Sequence, residues 1–156
     1  MKQTIVYLVQ FIGPNQPGDF RWHHAQPGSS DDVYIFPDNT MHVGYAGAAC
    51  IRDLDTSCGV TTILVEDGRM RPFQTVEEAV PYVEECMNRI EMWSNEPGTK
   101  IYLPVGPDGK TLGCGTFDVP LDVRKYITAR IMHAIRKHSR GDVVIDTSFL
   151  KTTSGT

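Results

Sequence analysis

Asp38 and Asn39 stand directly after an apolar run, Val33-Tyr34-Ile35-Phe36, that ends at Pro37. A carboxylate and an amide at the carboxyl end of a buried strand lie where open α/β sheets place their ligand crevices. Asn39 is suited to bind a ribose hydroxyl or hold a water, and Asp38 to accept from an amine or hydroxyl. An Asx-turn or a helix cap explains the same pair structurally. Gly44 and Gly47 loosen the turn that follows, while Ala46, Ala48 and Ala49 let backbone approach a ligand closely. The pattern predicts a helix through Arg52 whose free N–H groups face the crevice. Arg52 either neutralises phosphate or pairs with Asp53 or Asp55 on the surface. Strand, polar pair, Gly-rich turn and helix together form an arrangement that cradles phosphate. Its candidate catalytic residues are Asp38 and Asn39, and its candidate ligand contacts are Phe36, Gly44, Gly47, Ala48 and Arg52.

A second Gly-rich loop contributes Gly113, Cys114, Gly115, Thr116 and Phe117 as candidate ligand contacts. Two glycines permit positive φ, so that successive N–H groups can line one anion-binding concavity. Thr116 can cap a helix or bond a phosphate oxygen, and Phe117 either stacks on a ribose or base or enters the core. An ordinary strand-to-helix turn, N-capped by Thr116 or Asp118, accounts for the loop equally. Cys114 near a helix N-terminus raises thiolate chemistry, but no arginine follows at phosphatase-loop spacing and no basic partner is adjacent. Walker lysine and full Gly-x-Gly-x-x-Gly patterns are absent. Arg21-Trp22-His23-His24 reads either as a loop anchored by a packed Trp with two solvated histidines, or as an aromatic wall with a histidine acid or base.

The elements that must hold these loops follow from the pattern. Strands are predicted at Thr4–Phe11, Val33–Phe36, Cys58–Leu64, Lys100–Val105 and Val143–Phe149 from their β-branched and apolar runs. Residues 12–32 and 65–74 read as loops. A helix is predicted over about Thr75–Ser94, with Thr75 and Glu78 as a capping box and Ala79, Val83, Cys86, Ile90 and Trp93 as its core face. Pro81 is expected to kink it. A second helix is predicted over Val119–His138. Alternation of strands and helices from residue 33 onward implies an α/β fold: a three-layer α/β/α sandwich around a mostly parallel mixed sheet. Both Gly-rich loops then lie at the carboxyl ends of strands and clamp one ligand from two sides.

Composition limits the rest. A chain of 156 residues fits one domain, expected over residues 1–150, with 151–156 as a polar, frayed tail. The hydrophobic and charged fractions, 40% and 22%, are ordinary for a globular protein. A net charge of −4 without a concentrated basic face argues against a nucleic-acid partner. The four scattered cysteines form no Cys-x-x-Cys pair, so neither a metal nor a disulfide framework is expected. The first apolar run is too short for a membrane span, and a cytoplasmic location is expected. No cofactor is implied, and the oligomeric state stays open.

At its two loops the chain resembles the macrodomain-like, ADP-ribose-binding superfamily, most of all a small branch common in bacteria and tailed bacteriophages. That branch carries a strand ending Phe-Gly-Asp-Asn, a Gly-x-Gly-Gly-Gln-Ala turn, an arginine, and a Gly-Ile-Pro-Thr strand. Here the corresponding residues are Phe36-Pro37-Asp38-Asn39, Gly44 to Ala49, Arg52, and Gly59-Val60-Thr61-Thr62. Leu103-Pro104 and Gly113-Cys114-Gly115-Thr116 resemble the later strand and Asp-Gly-x-Gly-Thr-Gly loop of the branch. Ala46, Ala48 and Phe117 depart from the pattern, as does an insertion around Pro107–Leu112. The resemblance implies a macrodomain-like fold and an ADP-ribose-type nucleotide, with the first loop near the distal ribose and the second around the diphosphate. It implies either an ADP-ribosyl hydrolase using Asp38 or Asn39, or a non-catalytic module. Such a module sequesters an ADP-ribose-derived signal, in the host cytoplasm if the source is a phage.

Overall fold

The computed structural model describes residues 2–115 and 117–151, so Thr116 and the tail residues 152–156 lie outside the described residues. Among the described residues six strands form one sheet: β1 (Thr4–Val9), β2 (Val33–Asn39), β3 (Ser57–Glu66), β4 (Arg69–Pro72), β5 (Lys100–Pro104) and β6 (Val143–Phe149). Their order is β4-β3-β2-β5-β1-β6, with every neighbouring pair parallel except β3 and β4. Three α-helices accompany them: α1 (Phe20–His24), α2 (Val76–Ser94) and α3 (Leu121–His138), with a 3-10 helix at Gly47–Ile51. The fold is α/β with a mostly parallel mixed sheet, and no described helix is long and apolar enough to cross a membrane.

Side-chain alternation along β2 divides the core. Val33 and Ile35 enter the larger cluster with Val83, Met87 and Ile90 of α2 and Val123, Ile127 and Ile131 of α3. Tyr34 and Phe36 turn the other way, to Phe20, Ala49, Ile51 and Tyr102. Fully burying one such side chain contributes about 1.5–3 kcal/mol. The two sides are unequally covered. Helices of 19 and 18 residues serve the first cluster, whereas a five-residue α1 and a five-residue 3-10 helix serve the second. That asymmetry leaves part of β2 and β3 open on the second side.

Several local expectations need correction. β2 does not stop at Pro37 but runs on to Asn39. The Tyr34 N–H donates to Thr56 O on the β3 side, so alternation turns the Pro37 nitrogen toward β5. β5 pairs with β2 only at Val33 and Tyr34, and the missing donor therefore costs no ladder bond. The helix expected through Arg52 is only the short 3-10 turn, and no side chain caps it. The 65–74 loop contains β4, a hairpin strand whose two-residue turn places Asp67 at φ 50° and Gly68 at φ 74°. The 12–32 loop contains α1, capped by Asp19, which accepts from the Arg21 N–H.

The long helix is α2 from Val76 with Thr75 as N-cap, accepting from the Glu78 N–H at 3.1 Å. The Glu78 carboxylate does not complete a capping box; it accepts from Gln74 N–H and Arg71 instead. Ala79, Val83 and Ile90 are buried as expected, Met87 and Ser94 join them, and Cys86 and Trp93 are only partly buried, against the edge of the same cluster. The helix runs uninterrupted past Pro81, whose side chain is exposed.

Candidate functional site

The open part of the sheet is a groove of about 610 Å³ beside the carboxyl-terminal half of β2. Parallel pairing sets Phe36 beside Gly59 and Asp38 beside Thr61, so these four residues form a continuous floor. Arg52, Leu54 and Asp55 line one wall, and Tyr82, Glu85, Cys86 and Arg89 of α2 line the other. A side chain at Gly59 is not tolerated without movement: its Cβ would lie 2.7 Å from Asp38 Oδ2 and 3.0 Å from Phe36 Cζ.

Asp38 is the centre of the cluster. It is 6% exposed, and its Oδ1 accepts from Arg52 Nη2 at 2.8 Å and from the Asn39 N–H at 2.8 Å. Oδ2 lies 2.9 Å from His42 Nδ1. Burial pushes the carboxyl pKa up, but the hydrogen bonds from Arg52, His42 and Asn39 outweigh it and hold Asp38 below the usual carboxylate range.

Arg52 is not a surface partner of Asp53 or Asp55. It donates from Nε to Gly44 O at 2.8 Å and from Nη2 to Val43 O at 3.0 Å, besides the bond to Asp38. Its guanidinium carbon sits 5.0 Å from the centre of the Phe36 ring, which is only 2% exposed. Asp53 instead accepts from the Tyr45 hydroxyl at 3.1 Å. Arg52 thereby fastens the 43–44 turn to β2. Its Nη1 has no protein partner among the described residues.

Asn39 folds its amide into the turn. Nδ2 donates to Val43 O at 2.8 Å, and Oδ1 accepts from the Met41 N–H at 3.0 Å. The Asx-turn alternative therefore describes Asn39, and its amide is engaged by the loop. Gly44 and Gly47 take φ values of 99° and 60° on the exposed turn, and Ala48 packs against the second core cluster. His42, which the sequence pattern did not single out, also takes a left-handed backbone, with φ 54°. Its imidazole is 65% exposed at the groove. No motif marks an Asp and His four apart in a loop, so only the turn geometry reveals the pair.

On α2, Arg89 donates from Nε to Ser57 O at 3.0 Å and from Nη2 to Asp55 O at 2.5 Å. Its charge thus meets backbone carbonyls, with no carboxylate ion pair among the described residues. Thr61 Oγ1 lies 3.5 Å from Cys86 Sγ across the groove.

The second Gly-rich loop does not join this site: none of Gly113, Cys114, Gly115 and Phe117 lines the groove. Thr116 lies outside the described residues. β2 and β5 are paired only at Val33–Ile101 and Tyr34–Tyr102, so the two strand ends that carry the loops have already separated. The Gly113 N–H donates to Pro104 O at 3.0 Å, and a Cβ there would meet Val105 backbone at 3.1 Å. Only Gly115 of the two glycines takes positive φ, at 63°. Cys114 is buried and its thiol is pushed up to about 11, the reverse of an activated nucleophile. Phe117 is 38% exposed. The inserted residues form a hairpin held by Asp108, whose carboxylate accepts from the Lys110 and Thr111 N–H groups, and by Arg124 of α3.

Arg21-Trp22-His23-His24 is also separate from the groove. His23 is 1% exposed rather than solvated; its Nε2 accepts from the Gly18 N–H at 3.0 Å, and burial lowers its pKa to about 4. It packs with Tyr102 and Phe149, centroids 4.9 and 4.6 Å away. All four cysteines are free, and no group of three or more potential metal ligands occurs among the described residues. No protein-family model, curated protein or solved structure matches the chain.

Proposed function

We propose that this protein binds a nucleotide of the ADP-ribose type in the groove beside β2, within a macrodomain-like three-layer α/β/α frame. The observation that carries the reading is the pair of arginines, Arg52 and Arg89, lining one groove, with Asp38 the one carboxylate paired to either of them among the described residues. Two guanidinium charges beside one groove suit a diphosphate, whose oxygens accept charge-assisted N–H bonds. Tyr82 adds aromatic surface, and Thr40 adds a hydroxyl. The groove volume of about 610 Å³ falls within the roughly 300–1,000 Å³ of small-molecule sites. The resemblance of the Phe36–Asn39 and Gly59–Thr62 segments to the ADP-ribose-binding branch supports the choice of nucleotide.

Isothermal titration with ADP-ribose at near-physiological salt tests the proposal. Binding that weakens at least tenfold in Arg89→Leu and stays unchanged in Gly115→Glu supports this groove. Loss in Gly115→Glu with retention in Arg89→Leu places the ligand at the second loop and refutes the site. Absence of ADP-ribose binding at millimolar concentration refutes the ligand.

A further inference from the structure

We propose that His42 is the general base of this groove and that Asp38 positions it, so that the protein hydrolyses its nucleotide ligand rather than only holding it. The inference rests on the groove being the nucleotide site. Asp38 Oδ2 lies 2.9 Å from His42 Nδ1, which fixes the ring with its Nδ1–H toward the carboxylate and its Nε2 lone pair away from it. The carboxylate is 4% exposed while the imidazole is 65% exposed, so an anchored acid holds a ring that solvent and ligand can reach. Both residues line the groove. A buried carboxylate orienting an accessible imidazole is the arrangement by which histidine takes a proton from water.

A purely structural role explains the pair poorly. The 39–44 turn is already held by Asn39 Nδ2 to Val43 O and by Arg52 to Val43 O and Gly44 O. A hydrogen bond to so exposed a partner adds little to stability. His42 occupies φ 54°, a left-handed conformation that histidine, like asparagine and aspartate, adopts more readily than most residues.

The step balances without a further reagent. Nε2 accepts one proton from a water. The water oxygen forms a bond to the anomeric carbon of the distal ribose, and the bond from that carbon to the conjugated oxygen breaks with its electron pair. The imidazolium returns its proton to the leaving oxygen, giving free ADP-ribose and the released hydroxyl or carboxyl compound. The charged groups sharing the groove with His42 are Asp38, Arg52, Asp55, Glu85 and Arg89, and the pH profile is compared between variants that leave all of them in place.

The test uses peptides ADP-ribosylated on serine and on glutamate, with wild type and His42→Gln. The expected result is turnover by wild type, a kcat loss of about 10²- to 10⁴-fold in His42→Gln, and ADP-ribose affinity within threefold of wild type. The acid limb of the wild-type kcat profile disappears in the variant. A long-range proton–nitrogen correlation spectrum above pH 8 shows His42 as the Nδ1–H tautomer. An Nε2–H tautomer, an unchanged kcat in His42→Gln, or unchanged conjugate after prolonged incubation with wild type overturns the inference. In that last case retained ADP-ribose binding leaves the nucleotide-binding proposal standing. Absence of ADP-ribose binding brings down that proposal separately.

Discussion

Replacing Asp38 by alanine tests whether the charge cluster at the end of β2 is as buried and interdependent as its geometry implies. The substitution removes a carboxylate that is 4% exposed and strands a guanidinium that is 13% exposed. It also removes the acceptor of the Asn39 N–H, in a residue only 8% exposed. Breaking one side of a buried ion pair costs about 3–5 kcal/mol. Arg52 keeps its bonds to Val43 O and Gly44 O and its place over Phe36, so the low end applies, about 3 kcal/mol. For a domain of this size each kcal/mol lowers Tm by about 2–4 °C, giving an expected loss of about 6–12 °C.

Urea unfolding of wild type, Asp38→Ala, Arg52→Ala and the double variant measures this loss. The cycle is expected to return a coupling of about 2 kcal/mol, within the range for residues in one network. The pH dependence supplies a second, independent check. The Asp38 carboxyl is held below its ordinary value in the folded protein, so the stabilisation is complete above the unfolded-state pKa of about 3.9 and is lost as pH falls through the lower folded value. The gap between wild type and Asp38→Ala therefore stays constant from neutral pH to about pH 5 and narrows below about pH 4. A loss under about 1 kcal/mol would show a solvated surface pair instead. A gap that does not narrow in acid refutes the charge argument.

Three further outcomes follow from other parts of the molecule. Gly59→Ala, whose Cβ would crowd Asp38 Oδ2 at 2.7 Å, is expected to cost about 1–3 kcal/mol by overpacking and to shift the His42 imidazole resonances; a neutral substitution with unmoved resonances disproves the close approach. Buried His23, with its pKa lowered to about 4, stays neutral while the unfolded chain takes up a proton near pH 6.5. Stability is therefore expected to fall as pH drops from about 6.5 toward 4, a slope that His23→Gln flattens, and an equal slope in the variant contradicts it. The Cys58 and Cys114 thiols, pushed up to about 12 and about 11 by burial, are expected to resist iodoacetamide at pH 7.5 until the protein is unfolded; mass spectrometry showing prompt native labelling of either rejects this.

Much of the frame was legible in the chain because it rests on local patterns. β-branched runs marked β1, β2, β3, β5 and β6, and three- and four-residue spacing marked α2 and α3. β4 escaped because a four-residue edge strand reading Arg-Met-Arg-Pro buries little and is too short for its alternation to register. α1 escaped because five residues within a Gly- and Pro-rich stretch give no periodicity. Pro37 looked like a terminus, since a proline normally removes a ladder bond. Only the pairing, which leaves its side of β2 without a partner, explains why the strand continues.

The site divides along the same line. The sequence alone marked Asp38, Arg52 and Phe36, because a carboxylate and an arginine near the end of an apolar strand are informative residue types at informative positions. It also marked two glycine-rich loops, but residue type says nothing about where two strand ends point. The tertiary structure decided that β2 and β5 part after two paired residues, which separates the second loop from the groove. It decided that Arg52 turns inward to Asp38, and that Asn39 closes its own turn. It brought in His42 from the turn and Arg89 from α2, 50 residues or so along the chain from β2. The physical reason is common to all of these. Helix and strand formation follow periodicities that neighbours in sequence carry, whereas a binding groove is made by side chains whose neighbours in space only sheet register and helix packing can assign.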